Sequence, residues 1–146
     1  MRDVGTPVRK AIYDALNGTI IIEGAPVPFV DEKLDRGITE SDIWVLLNSQ
    51  DEQQVPLKSY WATEVTMTFL VINKRQATIS KTIVEDVVNQ ILQILRPTKI
   101  TVGITVPAPF KLSYLDVQTA DYQAEQVDAS FRIKKQIIIK TRLTHL

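Results

Sequence analysis

Alternating apolar and polar positions predict a long strand near the middle of the chain. Every second residue from Trp61 to Val71 is apolar or threonine, whereas Glu64, Thr66 and Thr68 occupy positions between them. Such alternation, in a run rich in β-branched and aromatic residues, is typical of a strand that buries one face. The pattern therefore predicts a strand with one side in the core.

A helical period follows this strand. Apolar residues recur at helical spacing and form one stripe, which comprises Ile79, Ile83, Val87, Ile91 and Leu95. Thr78 or Ser80 can cap the first turn, and Pro97 ends the helix after Arg96. Because a strand with one apolar face and a helix with one apolar stripe can bury each other, this pair is predicted to form the core.

Further strands are predicted on both sides of this pair. A helix with a cap at Thr6-Pro7 ends at Asn17-Gly18. Short β-branched or apolar runs predict the remaining strands, at residues 19–23, 42–48, 111–127 (one or two strands) and 130–144. Residues 31–41 and 49–58 are mostly polar and are expected to form mobile loops.

This order of elements predicts the fold class. Runs of strands separated by single helices, without strict strand–helix alternation, indicate an α+β fold. We expect one domain over residues 1–146, in which one or two helices pack on one face of a largely antiparallel sheet. A chain of 146 residues can bury such a core without disulfides or metal.

Residues that support most kinds of catalysis are scarce. The chain has no cysteine, its one histidine is His145 beside the C-terminus, and its five glycines do not cluster. These features argue against a thiolate or multi-histidine metal site, an internal Ser-His-Asp triad and a glycine-rich phosphate loop. Adjacent carboxylates at 31–32, 51–52 and 85–86 lie in predicted loops or on the polar side of the helix. We therefore expect no enzymatic activity, no metal and no cofactor.

Membrane insertion and secretion are not expected either. The longest apolar runs are a few residues, whereas a spanning helix needs about 20. The first residues contain no apolar segment of the kind found in secretory signals.

Charge is balanced overall but uneven along the chain. Residues 1–73 carry six Lys/Arg and eleven Asp/Glu, a net −5, and residues 74–146 carry eleven and six, a net +5. An acidic half and a basic half permit head-to-tail contact between identical subunits, the geometry of rings and filaments. Chance asymmetry on a solvated surface is the alternative.

The last predicted strand presents a basic face. No acidic residue occurs between Ser130 and Leu146. Three interpretations remain open: solvated or edge-protecting residues, contact with an acidic neighbouring subunit, or contact with the nucleic-acid backbone. The candidate subunit-interface or lumen-facing residues are Arg132, Lys134, Lys135, Lys140, Arg142, Asp31, Glu32, Asp35, Asp51 and Glu52.

The layout of the chain resembles a known family. A capped helix TPVRKAIYDALNG is followed by GAPVPFVDEK, the strand DIWVLLNSQ, the long strand EVTMTFLVINKR and the helix SKTIVEDVVNQILQILRP. Over about residues 5–97 this order resembles the small tail-completion, tail-terminator and head–tail joining proteins of tailed bacteriophages. The resemblance rests on layout, with no shared motif, so no catalytic residue carries over.

The resemblance implies a structural role in a virion, assembled in the host cytoplasm. It implies a homo-oligomeric ring of six or twelve subunits at the phage neck or tail end, in contact with other neck or tail proteins. DNA would pass through the lumen without sequence-specific recognition.

A second hypothesis is a small non-enzymatic binding or scaffold domain that stays monomeric or dimeric. An enzyme that uses carboxylates is the third and least supported.

Overall fold

The structure is a computed structural model that describes residues 5–31, 43–56, 61–73, 80–98, 102–106, 110–120, 122–127 and 130–145. Within these residues the chain forms, in order, α1 (Gly5–Leu16), β1 (Ile21–Ile22), β2 (Ala25–Pro26), β3 (Phe29–Asp31), β4 (Ile43–Pro56), β5 (Trp61–Asn73), α2 (Ser80–Leu95), β6 (Phe110–Thr119), β7 (Gln123–Val127) and β8 (Ser130–His145). The predicted α+β class is confirmed.

The main sheet has the strand order β3-β4-β5-β8-β6, and β7 also pairs with β8. Strand β3 lies parallel to β4, and the other pairs in this sheet are antiparallel. Strand β8 therefore has partners on both sides. The interpretation that its basic residues protect a sheet edge is wrong, because β8 is an interior strand.

One face of the sheet is covered by α2, and we call it the helix face. On this face, β5 and β8 contribute apolar side chains that are at most 5% exposed, and these are Val65, Met67, Phe69, Val71, Ile137, Ile139 and Leu143. The predicted alternation in β5 is confirmed. Side chains at the intervening positions of β5 and β8 lie on the opposite face, which we call the far face.

The β1–β2 hairpin is held against α2 by a side-chain amide. Gln90 accepts a hydrogen bond from the Ile21 amide at 3.0 Å and donates one to the Ile21 carbonyl at 2.9 Å. This pairing satisfies the amide and the carbonyl of Ile21, the exposed residue of this two-residue strand. Helix α1 packs against α2 and adds Val8, Ile12 and Leu16 to the core.

The polar segment predicted as a loop at residues 49–58 is a strand in most of its length. Strand β4 continues through Ser49 to Pro56 and pairs with β5 along this whole segment, with one irregularity between Leu47 and Ser49. Asp51 to Gln54 are all exposed. With neither face buried, the segment has no hydrophobic period, and pairing with β5 alone makes it a strand. The predicted loop at 31–41 lies outside the described residues except for Asp31.

Candidate functional site

Two clusters of charged and tyrosine side chains lie on opposite faces of β8. The first, the helix-face cluster, comprises Glu85 of α2, Lys135 of β8 and Tyr122 just before β7. The Glu85 carboxylate accepts hydrogen bonds from the Tyr122 hydroxyl and from Lys135 Nζ, the latter at 2.9 Å. Lys135 Nζ also lies 4.5 Å from the centroid of the Tyr122 ring. The cluster thus joins α2 to β8 and to the chain that enters β7.

The environment of this cluster shifts two pKa values in opposite directions. The hydrogen bond from Tyr122, followed by the one from Lys135, lowers the pKa of Glu85 from its ordinary value of 4.5. Burial and the hydrogen bond to Glu85 raise the pKa of Tyr122 to about 12. At neutral pH the carboxylate is therefore charged and the phenol is neutral.

Replacing Glu85 with glutamine is expected to destabilise the fold. The Lys135 side chain is only 12% exposed, so the substitution leaves a mostly buried ammonium group without its counter-charge. Because Glu85 itself is 42% exposed, water partly screens the pair, and we expect a loss of about 1–2 kcal/mol in the free energy of unfolding at pH 7. Urea denaturation of Glu85→Gln and of the native sequence measures this difference.

The adjacent substitution Asp86→Asn is the matched control. Asp86 is exposed and accepts one long hydrogen bond, from Gln90 at 3.3 Å, so little change is expected.

The stability difference between the native sequence and Glu85→Gln should be constant above about pH 5.5. It should shrink as the pH falls below 4.5, because protonation of a carboxyl with a lowered pKa removes its contribution. Equal stabilities for Glu85→Gln and the native sequence at pH 7 would contradict this role.

The second cluster, the far-face cluster, lies across three neighbouring strands. Glu64 of β5, Arg142 of β8 and Tyr114 of β6 occupy one row of the sheet. The Glu64 carboxylate accepts hydrogen bonds from Arg142 Nη2 at 2.8 Å and from the Tyr114 hydroxyl at 3.1 Å. The guanidinium of Arg142 lies 5.7 Å from the Tyr114 ring centroid. The hydrogen bond from Arg142, and after it the one from Tyr114, lowers the pKa of Glu64.

Both clusters have the chemistry of structural links. A general acid or base works best with a pKa near the working pH, whereas the pKa values of Glu64 and Glu85 are lowered, away from neutral pH. The tyrosine and carboxylate partners were not predicted from the sequence. The one signal in the sequence is Lys135, because strict alternation places it on the same side of the strand as Ile133 and Ile137, and a lysine on an apolar side needs a nearby counter-charge.

The structure separates the basic candidates into different environments. Lys135 and Arg142 are engaged in the two clusters, so part of the basic charge of the last strand is neutralised within the chain. Lys140 is exposed on the far face, Lys134 is half-buried, and Arg132 lies in the part of β8 that pairs with β7.

The acidic candidates do not converge on one point. Asp51 and Glu52 are consecutive exposed residues of β4 and therefore project from opposite faces of the sheet. Asp31 is the last residue of β3. Glu32 and Asp35 lie outside the described residues.

Two further properties of the described residues bear on function. They contain no group of three or more His, Cys, Asp or Glu side chains placed to hold a metal ion. Neither described helix has the length and apolar character needed to cross a membrane.

Comparison with solved structures shows a likeness of fold. No protein-family model matches the chain, and no curated protein matches it. Among solved structures, a similar chain occurs in one described as "Virion of native gene transfer agent (GTA) particle". The TM-score is 0.65, the sequence identity is 13%, and the match covers 99% of each chain. The two chains therefore share a fold over almost their entire lengths.

Proposed function

We propose that the protein is a structural component of a phage-like virion and forms a ring at its neck or tail end. In this role it joins head to tail, completes the tail or terminates it, and it acts by assembly, without catalysis. DNA passes through the ring without being read. Its partners are further copies of itself and other neck or tail proteins.

The observation that carries this proposal is the fold shared with a chain of a gene transfer agent virion over 99% of both chains. The layout of residues 5–97 resembles small tail and neck proteins of phages, which supports the same role independently. The two charge clusters, whose carboxylates are held in ion pairs, are also consistent with a structural role.

The native mass of the purified protein tests the proposed ring. It is measured at low and high protein concentration, each in low and high salt. We expect a closed species of six or twelve subunits that forms at high concentration. High salt should weaken it, because screening reduces attraction between acidic and basic subunit surfaces.

A strict monomer under every condition would contradict self-assembly. It would leave a joining protein that assembles only on its partners, or the small binding or scaffold domain. A dimer that does not grow with concentration would favour that domain and contradict the ring.

A further inference from the structure

At both ends of the strand order, the main sheet has strand edges without a partner among the described residues. Strand β3 pairs with only three residues of β4, Val45 to Leu47. Among the described residues, the outer edge of β4 therefore has no partner from Ser49 to Val55, and we call this segment the β4 edge. At the other end of the strand order, β6 pairs with β8 on one side only, and we call its outer side the β6 edge.

We propose that the β4 edge of one subunit pairs with the β6 edge of the next, so that one sheet continues around the ring. This inference rests on the proposed ring and specifies the contact that closes it. The occupant of the β4 edge is a second copy of this chain. Unpaired strand edges are templates for such pairing because their amide and carbonyl groups lack partners.

The two edges lie at the same level along the strands. Following the pairing across the sheet, Ser49 is in register with Thr68, then Ile138, then Gln118. By the same route, Val55 is level with Lys111. The segment of β4 that β3 leaves unpaired therefore matches the length of β6 from Lys111 to Gln118. A neighbouring copy needs no displacement along the strands to bring the edges together.

The strand directions also fit. Strands β4, β5, β8 and β6 alternate in direction, so β4 and β6 run antiparallel. A copy rotated about an axis roughly parallel to the strands keeps the direction of its strands, so its β6 meets β4 of the first copy as an antiparallel partner. Repeating the rotation makes the same heterologous contact between successive copies, and such contacts can close into a ring. The twist of each sheet is accommodated by tilting the strands, as in closed barrels.

Charge and exposure support the same contact. The β4 edge contains Asp51 and Glu52, both exposed, and no basic residue. Beside the opposite edge, the far face carries exposed Lys111 and Asp116 of β6 and exposed Lys140 of β8, which is the cross-strand partner of Asp116. The acidic β4 edge thus meets a surface that carries one more lysine than acid. The exposed, polar β4 edge also limits unspecific pairing before assembly.

One carbonyl of β6 accepts a hydrogen bond from a side chain outside the sheet. The Arg96 guanidinium, at the end of α2, donates a hydrogen bond to the Leu115 carbonyl. Intersubunit pairing therefore depends on the remaining outward-facing groups of β6.

Disulfide cross-linking tests the pairing directly, because the chain has no cysteine of its own. The test variant combines Ser49→Cys with Gln118→Cys, two exposed positions that are level with each other. Within one subunit β5 and β8 separate these positions by three strand spacings, about 14 Å. A disulfide requires Cα atoms within about 7 Å, so only a bond between subunits can form.

The matched control combines Ser49→Cys with Lys111→Cys. Lys111 is also exposed on the far-face side of β6, but it lies about 20 Å along the strand from the level of Ser49. Under mild oxidation we expect a ladder of covalent oligomers for the first variant and several-fold less for the control. Each single-cysteine variant should yield at most a dimer.

The outcomes separate this inference from the proposed ring. If the native mass shows the ring but the variant with Ser49→Cys and Gln118→Cys cross-links no better than the control variant, the edge pairing is wrong and the proposed ring stands. If both variants are monomeric at high concentration and form no ladder, the edge pairing and the self-assembling ring are both overturned. Circular dichroism of the reduced variants confirms that each has folded.

Discussion

Replacing Gly103 with alanine is expected to lower the free energy of unfolding by about 3 kcal/mol, the upper part of the range for an atom forced into a packed site. A Cβ atom at this position would lie 1.6 Å from the Ile94 carbonyl oxygen and 2.8 Å from its carbonyl carbon. Both atoms belong to the backbone of the last turn of α2, so no side-chain rotation can relieve the clash.

The close approach of Gly103 also completes the end of α2. The Gly103 amide donates a hydrogen bond to the Leu95 carbonyl at 2.8 Å, and Ile104, which follows, is buried. Carbonyl groups in the last turn of a helix lack partners within the helix. Alanine at position 103 therefore pushes the returning chain away from α2 and weakens both this hydrogen bond and the packing of Ile104.

Urea denaturation at low protein concentration measures the effect, since assembly would stabilise the folded state. Gly18→Ala is the control. Gly18 has φ +75°, but a Cβ atom added there would have no heavy atom within 4 Å, so the substitution carries only the cost of a left-handed conformation, about 1 kcal/mol. If Gly103→Ala costs no more than Gly18→Ala, the contact with Ile94 does not constrain the chain.

The sequence predicts the fold best where burial is one-sided. The alternation in β5, the helical stripe of α2 and the final strand each reflect one face in the core, and the structure has these elements close to their predicted bounds. Periodicity records burial, so it locates such elements without knowledge of their partners.

The sequence is less informative where pairing or proximity decides the structure. The outer half of β4 is exposed on both faces and carries no period, and its strand conformation depends on β5. The hydrogen bonds to the carboxylates of the two charge clusters join residues 37 to 78 positions apart in the sequence. The role of Gly103 depends on where the chain returns against α2. None of these contacts can be predicted from the local pattern of apolar and polar residues.

The same reasoning limits what the sequence reveals about function. The basic residues of β8 follow one another closely in the sequence, but the sheet pairs two of them with carboxylates from other elements. The acidic residues of β4 were expected in a loop, but they lie on a strand edge that has no partner among the described residues. In the proposed function, contacts would therefore be made by edges and surfaces that appear only once the strands are paired.

Replacing Ile139 with alanine is expected to cost about 3–4 kcal/mol in the free energy of unfolding. Ile139 is 1% exposed at the centre of the interior strand β8, where it is in register with Met67 of β5 and Val117 of β6 beneath α2. Removing three carbon atoms there leaves a cavity, because β5 and β6 hold the backbone on both sides and prevent collapse.

The preceding residue provides the matched control, since Ile138→Ala removes the same atoms from the far face. Ile138 is half-buried between Thr68 and Gln118, so its truncation should cost about 1 kcal/mol. Comparing the two variants by urea denaturation measures how unequally the sheet's faces contribute to stability. Equal losses would mean that the far face holds a second core that contributes as much to the free energy of unfolding as the first. A far face that contributes little stability leaves its residues available for contacts in the assembled particle.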